Sequence, residues 1–288
     1  MKIIRSIQEM ADFAADLNLS KAKKNRSIGF VPTMGSLHSG HMSLVENSAA
    51  ENANTIVSIF VNPVQFEKDG DFESYPRDEK ADIDRLEKDG KTKCVFIPSY
   101  EDMYPEGYAS FVEVMNNMTS VLCGASRPGH FRGVATVVSK FLNILNPDVL
   151  YLGQKDMQQA AIIKKMIQDL NFGVRVSVCP IVREKDGLAL SSRNKLLTPE
   201  ERETAPVLYR AIQVAESMIE LGEKSPGVII KEMIRKIKEA KAEIDYVDIV
   251  DSRTFEKKNV LSGEVLIAAA VYIGKIRLID NSVVTVEE

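Results

Sequence analysis

The chain has 288 residues, of which 44% are hydrophobic and 27% charged, and its formal net charge is −4. This composition is typical of a globular protein and excludes a disordered chain, while the length predicts one large domain or two unequal ones. The net charge offers no basic face for nucleic acid, so we expect no nucleic-acid partner. No apolar run reaches 18 residues and no signal peptide pattern follows Met1, so we expect no association with a membrane.

The three cysteines, Cys94, Cys123 and Cys179, are odd in number, widely spaced and free of any C-x-x-C pattern. This usage predicts buried thiols in a reducing compartment, and therefore a cytoplasmic protein. A reactive or metal-binding cysteine is the alternative interpretation.

After an amphipathic helical pattern at the N-terminus, short apolar runs alternate with helical stretches. The predicted strands lie at 27–33, 55–61, 94–97, 149–152 and 174–182, and the predicted helices at 41–53, 78–88, 133–145 and 155–170. Strand, helix and strand within about 35 residues form a βαβ unit, which implies a parallel sheet with right-handed crossovers. We therefore predict an α/β fold, with a doubly wound, Rossmann-like domain over residues 1–182.

The pattern changes after about residue 182. Thr198-Pro199-Glu200-Glu201 has the features of a helix start, a second helix follows Ser225-Pro226, and strands are predicted near 244–250 and 265–279. Helices followed by strands predict a smaller α+β domain over residues 183–288, with residues 183–194 as the hinge or rim between the domains.

The turn after the first of these predicted strands is the most informative segment, and it runs from Pro32 to His41. In a doubly wound sheet, ligands bind outside the carboxyl ends of the strands, where this turn lies. Gly35 and Gly40 allow close approach of the backbone, and the following helix directs unpaired N–H groups at the same place. Two imidazoles three residues apart, His38 and His41, are suited to stabilising charge on a phosphoryl group. The alternative is that one histidine only caps the helix or packs in the core.

This H-x-G-H pattern resembles the signature of the nucleotidyltransferase superfamily, which includes class I aminoacyl-tRNA synthetases and small adenylyltransferases. The pattern is neither a dinucleotide-binding fingerprint nor a P-loop. By itself the resemblance implies chemistry at the α-phosphate of ATP and leaves the acceptor open.

Further segments narrow the resemblance to one family. With Pro-Thr-Met-Gly they resemble, in order and over essentially the whole chain, the pantothenate synthetases, also called pantoate–β-alanine ligases. These segments are Phe60–Phe66, Tyr75–Arg77, Arg127–Val134, Gly153–Gln159 and Arg183–Asn194. Two positions depart from the pattern, since Leu190 stands where Met is also common and Gln154 replaces an acidic residue.

The resemblance implies ATP-dependent ligation of (R)-pantoate and β-alanine through a pantoyl adenylate, by a homodimer that uses Mg²⁺. It implies that His38, His41, Lys155 and Arg193 are catalytic, with His41 either a proton donor or only a hydrogen-bond donor. It also implies that the second domain forms a lid that closes onto the phosphates. The residues assigned to ATP are Met34, Gly35, Ser36, Leu37, His38, Ser39, Gly40, His41, Gly153, Gln154, Lys155, Asp156, Val182, Leu190, Ser191, Ser192 and Arg193.

Gln65 and Gln159 are assigned to pantoate, with Asn62 nearby, because an amide offers a donor and an acceptor without the cost of burying a charge. Asp82 is a possible Mg²⁺ ligand by its place after Tyr-Pro-Arg. Arg127 and His130 either support the structure or border the site. Another adenylyltransferase, a fragment of a tRNA synthetase and a non-catalytic nucleotide sensor are the rival interpretations.

Overall fold

The computed structural model describes residues 1–19, 27–66 and 71–287. These residues form two compact units. The first contains Met1–Met115, Arg127–Gln154 and Gln158–Pro180, and the second contains Asn116–Ser126, Lys155–Met157 and Ile181–Glu288. The sequence predicted a single boundary between residues 182 and 183, whereas two short segments from the first part of the chain cluster with the second unit. No helix in the described ranges combines the length and the apolar composition needed to cross a bilayer.

The first unit is an α/β layer structure. Its strands are β1 Lys2–Ile4, β2 Ile28–Thr33, β3 Asn54–Ile59, β4 Cys94–Phe96, β5 Val149–Gly153 and β6 Arg175–Cys179. The α-helices within the described ranges of both units are α1 Ile7–Leu19, α2 Ser39–Glu51, α3 Asp71–Ser74, α4 Glu79–Asp89, α5 Tyr100–Met103, α6 Cys123–Ser126, α7 His130–Leu145, α8 Met157–Asp169, α9 Pro199–Thr204, α10 Val207–Glu220 and α11 Pro226–Glu239.

The six strands pair in parallel in the order β1-β4-β3-β2-β5-β6. The strands β2 to β5 are almost entirely buried, which explains their continuous apolar runs, since a parallel sheet is covered on both faces. The chain runs from β2 outward to β3 and later returns to place β5 on the other side of β2. The carboxyl end of β2 is therefore at the topological switch point, where ligands of such sheets bind.

The predicted α/β class is confirmed, with differences at the ends of elements. The sequence missed β1, because three residues with two exposed side chains give no periodic signal. Residues 154–156 form a 3₁₀ turn before α8, whereas the sequence predicted continuous α-helix from residue 155. The strand β3 ends at Ile59, two residues early, because the chain turns toward Pro63.

The second unit contains an antiparallel sheet in the order β7-β8-β9, with β7 Glu243–Asp251, β8 Gly263–Ile273 and β9 Ile276–Val286. The run predicted at 265–279 is in fact a hairpin, because Gly274, with φ of 57°, takes the turn conformation that side chains disfavour. The helices α10 and α11 pack on this sheet around a separate apolar core. The predicted helix start is confirmed, and Thr198 caps α9 in a capping box with Glu201.

Candidate active site

The loop between β2 and α2 is held in a conformation that most side chains could not adopt. Gly35 has φ of 79°, and a Cβ atom there would lie 2.8 Å from Asp82 Oδ2. Ser36 also has a positive φ, of 49°. A strained backbone of this kind persists only where its surroundings hold it in place.

Asp82 supplies that support from α4. Its Oδ2 accepts the amide of Ser36 at 2.8 Å and its Oδ1 accepts the amide of Leu37 at 2.7 Å. The side chain is 3% exposed. Arg85, one turn further along α4, donates from Nη1 to the carbonyl oxygen of Leu37 at 2.6 Å. The residue that the sequence offered as a Mg²⁺ ligand thus fixes the backbone that leads into the two histidines.

His38 and His41 cap the helix α2 reciprocally. His38 is the N-cap residue, and its Nδ1 accepts the amide of Gly40 at 3.1 Å. His41 Nδ1 accepts the amide of His38 at 3.3 Å. A neutral ring that accepts at Nδ1 has its proton on Nε2, so both imidazoles are Nε2–H donors. The rings stack with centroids 4.0 Å apart, and Ser39 and Gly40 form the first turn beside them.

The structure shows the capping role that the sequence gave as the alternative for one histidine, and it shows it for both. The N-terminus of α2 directs backbone N–H groups and a partial positive charge at this edge of the sheet. Two neutral imidazole donors stand at the same place. This combination suits an anionic group such as phosphate.

The loop after β3 lies beside the loop after β2. Gln65 Nε2 donates to Met34 Sδ at 3.0 Å, and Gln65 Oε1 accepts from Asn62 Nδ2 at 3.2 Å. Asn62 also donates to the carbonyl oxygen of Gly133 at 3.1 Å and accepts from the hydroxyl of Tyr104 at 2.9 Å. With 1% exposure, Asn62 has its oxygen and its amide nitrogen engaged by protein. Its contact with Gln65 Oε1 orients the Gln65 amide.

Tyr104 remains a hydrogen-bond donor in this cluster, because burial raises the pKa of its phenol well above the ordinary value. His130 and Arg127 hold the other side of the same turn. His130 Nδ1 lies 2.8 Å from the carbonyl oxygen of Gln65, and Arg127 Nη1 lies 3.2 Å from His130 Nε2. Both residues therefore support the backbone at Gln65.

Gly133 allows the helix α7 to approach this turn closely. A Cβ atom at Gly133 would lie 2.5 Å from the carbonyl oxygen of Val64 and 2.6 Å from backbone atoms of Gln65. Gly133 therefore has a packing role that the sequence did not identify.

The loop after β5 reaches the same sheet edge, because β3, β2 and β5 are parallel neighbours. Gly153 ends β5, and a side chain there would meet no atom within 4 Å. Gln154 follows it, and Gln159 is the third residue of α8. The first unit thus contains the residues from Met34 to His41, Asn62, Gln65, Gly153, Gln154 and Gln159.

The remaining residues assigned to ATP belong to the second unit. Lys155 Nζ lies 3.6 Å from Asp156 Oδ1 in the 3₁₀ turn. The amide of Leu190 donates to the carbonyl oxygen of Val182 at 3.0 Å, closing a hairpin that continues into the next 3₁₀ turn, Ser192–Leu196. Ser191 caps this turn by accepting the amide of Arg193 at 3.3 Å, and Ser192 is buried.

Sequence reasoning missed Tyr104, Arg85, Asp280 and Asn281, all of which contact predicted site residues or the segments that contain them. No local signal identifies them, because each partner lies at least 42 residues away in the chain. Within residues 1–19, 27–66 and 71–287, no group of three or more His, Cys, Asp or Glu side chains is arranged to hold a metal ion. The three cysteines are buried thiols, as predicted.

The fold defines a doubly wound α/β protein in which two histidines cap the helix at the switch point of the sheet. Comparison with known proteins is more specific. The family model described as pantoate-β-alanine ligase matches residues 2–283. The pantothenate synthetase of Caldicellulosiruptor bescii is 52% identical over 285 residues, which are 99% of each chain.

Two solved structures agree over the whole chain. The pantothenate synthetase of Thermus thermophilus is 38% identical with a TM-score of 0.91 and 100% coverage of both chains. The pantoate-β-alanine ligase of Francisella tularensis, crystallised with "Beta-gamma ATP" and β-alanine, is 38% identical with a TM-score of 0.81, covering 98% of this chain and 97% of the other. The chain belongs to the pantoate-β-alanine ligase family and is a ligase of pantothenate biosynthesis.

Proposed function

We propose that the chain joins (R)-pantoate to β-alanine in two half-reactions. A carboxylate oxygen of pantoate attacks the α-phosphorus of ATP, a P–O bond forms, and pyrophosphate leaves with the electrons of the broken α,β-bond. The neutral amine of β-alanine then attacks the acyl carbon of pantoyl adenylate, AMP leaves, and the amine releases a proton. Because the substrate supplies the nucleophile, the protein contributes orientation and charge stabilisation.

The observation that best supports this proposal is the reciprocal capping of α2 by His38 and His41. Both Nε2–H groups are donors in a fixed orientation, and such donors stabilise the charge that develops on phosphoryl oxygens at little cost in reorganisation. His41 acts in this proposal as a neutral hydrogen-bond donor, because its Nδ1 is already occupied by the amide of His38.

The other residues divide by chemistry. Lys155 and Arg193 supply positive charge to the phosphates, and the hydroxyls of Ser191 and Ser192 supply hydrogen bonds. Asp156 binds ribose hydroxyls. The residues proposed to border the nucleotide through backbone or apolar atoms are Met34, Gly35, Ser36, Leu37, Ser39, Gly40, Gly153, Gln154, Val182 and Leu190. We propose that the residues 183–288 act as a lid during turnover.

Pantoate is held by Gln65 and Gln159 in this proposal. Each amide can donate to the carboxylate and accept from a hydroxyl of pantoate. Asn62 does not contact pantoate, and it holds Gln65 Oε1 in place from behind.

We propose that Mg²⁺ enters bound to ATP. Mg²⁺ retains several waters and takes one or two carboxylates together with substrate phosphates, so it needs no cluster of protein ligands. When bound, the ion neutralises phosphate charge. In this proposal Asp82 is a structural residue of α4 whose two carboxylate oxygens accept backbone amides of the loop between β2 and α2.

Pyrophosphate exchange into ATP tests the adenylate step. We expect exchange with pantoate alone, no exchange with β-alanine alone, and AMP as the nucleotide product of the complete reaction. Formation of ADP and phosphate would exclude the adenylate. Exchange that requires an amino acid in place of pantoate would instead support a synthetase-like activity.

We also infer a homodimer and a cytoplasmic location. Two-fold dimers are the commonest assemblies of soluble proteins, and three buried thiols suit a reducing compartment. Light scattering on the eluting protein should give twice the chain mass of 32.0 kDa. A monomer mass at micromolar concentration would contradict the dimer.

A further inference from the structure

Two adjacent residues of β9, Asp280 and Asn281, contact two separate segments of the second unit. Neighbouring residues of a strand direct their side chains to opposite faces, so this pair reaches in both directions. We infer that Asp280 and Asn281 are positioning residues that fix the segment of Ser191, Ser192 and Arg193 and the segment of Lys155 in one arrangement. The inference rests on the proposed function, in which these segments bind the phosphates of ATP.

Asp280 forms a two-point contact with Arg183. Arg183 Nη1 donates to Asp280 Oδ2 at 2.6 Å, and Nη2 donates to Oδ1 at 3.0 Å. Nη1 also donates to the carbonyl oxygen of Gly187 at 3.0 Å, and the guanidinium lies 4.1 Å from the ring centroid of Tyr209. Arg183 is thus held by a carboxylate, a carbonyl oxygen and an aromatic ring. A planar guanidinium suits such a site because its donors have a fixed geometry.

Arg183 is the first residue of the hairpin that leads to the phosphate-binding segment. It pairs with Ala189 across the hairpin, and the amide of Glu184 donates to the carbonyl oxygen of Leu188 at 2.8 Å. Asn194 Nδ2 donates to the carbonyl oxygen of Ala189 at 3.0 Å, which ties the following 3₁₀ turn to the hairpin. The contact with Asp280 therefore anchors the base of the hairpin, and Ser191 to Arg193 follow its second strand.

Asn281 anchors the other segment. Its Nδ2 donates to the carbonyl oxygen of Lys155 at 2.9 Å, across 126 residues of sequence. The amide of Asn281 donates to Asp280 Oδ1 at 2.8 Å, so the same carboxylate that holds Arg183 also fixes the backbone of Asn281. The backbone of Lys155 and the base of the hairpin are thereby anchored to two adjacent residues of β9, Asn281 and Asp280.

The energetics favour a positional role over a gain in stability. Asp280 is 3% exposed, and burial raises its pKa above the ordinary value although the guanidinium of Arg183 opposes this effect. A buried ion pair recovers little more than its desolvation cost, so replacing it by apolar residues is often neutral or stabilising. The hydrogen bonds that Asp280 accepts from Arg183 and from the backbone of Asn281 fix the relative positions of these residues. An apolar pair has no such directional contacts.

The test compares Asp280→Asn and Asn281→Ala with Asp245→Asn. Asp245 pairs with Arg277 on the same sheet at 2.6 Å, and both side chains of that pair are 15% exposed. The control therefore removes a comparable ion pair that touches neither phosphate-binding segment. Pantoate-dependent pyrophosphate exchange gives KM for ATP and for pantoate, and amide hydrogen exchange reports on the hairpin. Thermal unfolding verifies that each variant folds.

We expect both variants to lower kcat/KM for ATP by roughly 10–100-fold, the loss that supporting hydrogen bonds cause at metal sites. KM for pantoate should stay unchanged, because Gln65 and Gln159 are untouched. In Asp280→Asn the amides of Glu184 and Leu190 should exchange faster while those of α11 do not. Asp245→Asn should alter neither ATP kinetics nor hairpin exchange.

Wild-type kinetics for ATP in folded Asp280→Asn and Asn281→Ala would overturn the inference, as would an equal rise of KM for both substrates. If Asp280→Asn does not fold, Arg183→Lys takes its place, since an ammonium cannot reproduce the two-point contact. Absence of pantoate-dependent exchange in the wild-type protein would refute the proposed function instead. The hydrogen-exchange comparison would then still decide whether Asp280 holds the hairpin.

Discussion

Asp82 Oδ1 accepts the backbone amide of Leu37 at 2.7 Å across 45 residues of sequence, one residue before the first histidine of the site. With the second contact to Ser36, one carboxylate on α4 holds the loop that begins α2. The positions of His38 and His41 therefore depend on an acid that belongs to another helix.

Asp82→Asn should disturb the histidines without removing them. The amide nitrogen of asparagine cannot accept a hydrogen bond from a backbone N–H, so one of the two loop contacts is lost. We expect kcat to fall by roughly 10²-fold, the loss that a displacement of about 1 Å can cause, and stability to fall by about 1–3 kcal/mol. Pyrophosphate exchange and thermal unfolding measure the two effects. Asp84→Asn, an exposed acid on the same helix, is the control, and an unchanged rate for Asp82→Asn would refute the positional role.

Substitutions at His41 can separate capping from catalysis. His41→Asn places an acceptor oxygen near the site of Nδ1 and removes the donor at Nε2. We expect this variant to keep nearly all of the wild-type stability and to lose roughly 10²–10³-fold in kcat, as for one preorganised donor. His41→Ala should lose both activity and about 1 kcal/mol of helix capping.

The same two substitutions at the N-cap residue, His38→Asn and His38→Ala, make the same comparison for the other histidine. Urea unfolding and pyrophosphate exchange on all four variants provide the comparison. A value of kcat for His41→Asn within about threefold of wild type, which is less than 1 kcal/mol, would show that the imidazole donor is dispensable.

Gln65→Ala should weaken pantoate binding selectively. Removing one hydrogen-bonding amide should raise KM for pantoate by roughly 10–100-fold, corresponding to about 1–3 kcal/mol, with KM for ATP unchanged. Tyr104→Phe removes only the donor behind Asn62, and we expect a smaller rise in the same KM. Steady-state kinetics with each substrate varied in turn measure both values. A parallel rise in KM for ATP would place Gln65 outside a pantoate-specific subsite.

The stability of the second unit should depend on pH through Asp251. Burial alone would raise the pKa of Asp251, but the amides of Thr254 and Arg253 and the ammonium of Lys258 together lower it to about 2. A lowered pKa stabilises the folded state above the unfolded value of about 3.9, and the gain is lost as pH falls toward the folded value. Asp251→Asn should therefore cost about 2 kcal/mol at pH 7 and about half of that at pH 3. Urea unfolding at both values measures it, and a cost independent of pH would contradict the assignment.

Much of the fold follows from local sequence patterns. The buried runs of β2 and β3 and the capping residue of α9 depend on neighbours within a few residues, so their signals are present in the sequence. The three-residue β1 has no such signal, because it is stabilised only by its pairing with β4. The sequence predicts one strand across the hairpin at Gly274 because apolar residues occur on both sides of its turn.

The candidate site divides in the same way. The sequence indicated His38 and His41 by their spacing and by the glycines around them, and the ordered motifs indicated the family. The assignment of Asn62 to substrate and of Asp82 to a metal came from motif position alone. In the structure Asn62 contacts Gln65, and Asp82 contacts the backbone of Leu37. Motif position did not predict these partners, since the identity of a polar residue does not specify which group its side chain contacts.

By itself the sequence determined the α/β class and the glycine-flanked turn that carries His38 and His41 after β2. These features depend on hydrophobic periodicity, glycine conformation and helix capping, all of which act over a few residues. Only the tertiary structure decided which other residues hold the predicted site residues in position. The contacts of Asp82 with Leu37, Tyr104 with Asn62, and Asn281 with Lys155 join segments 42 to 126 residues apart. Each of these contacts lies within one unit and forms only when that unit has folded and brought the two segments together. No local pattern encodes them.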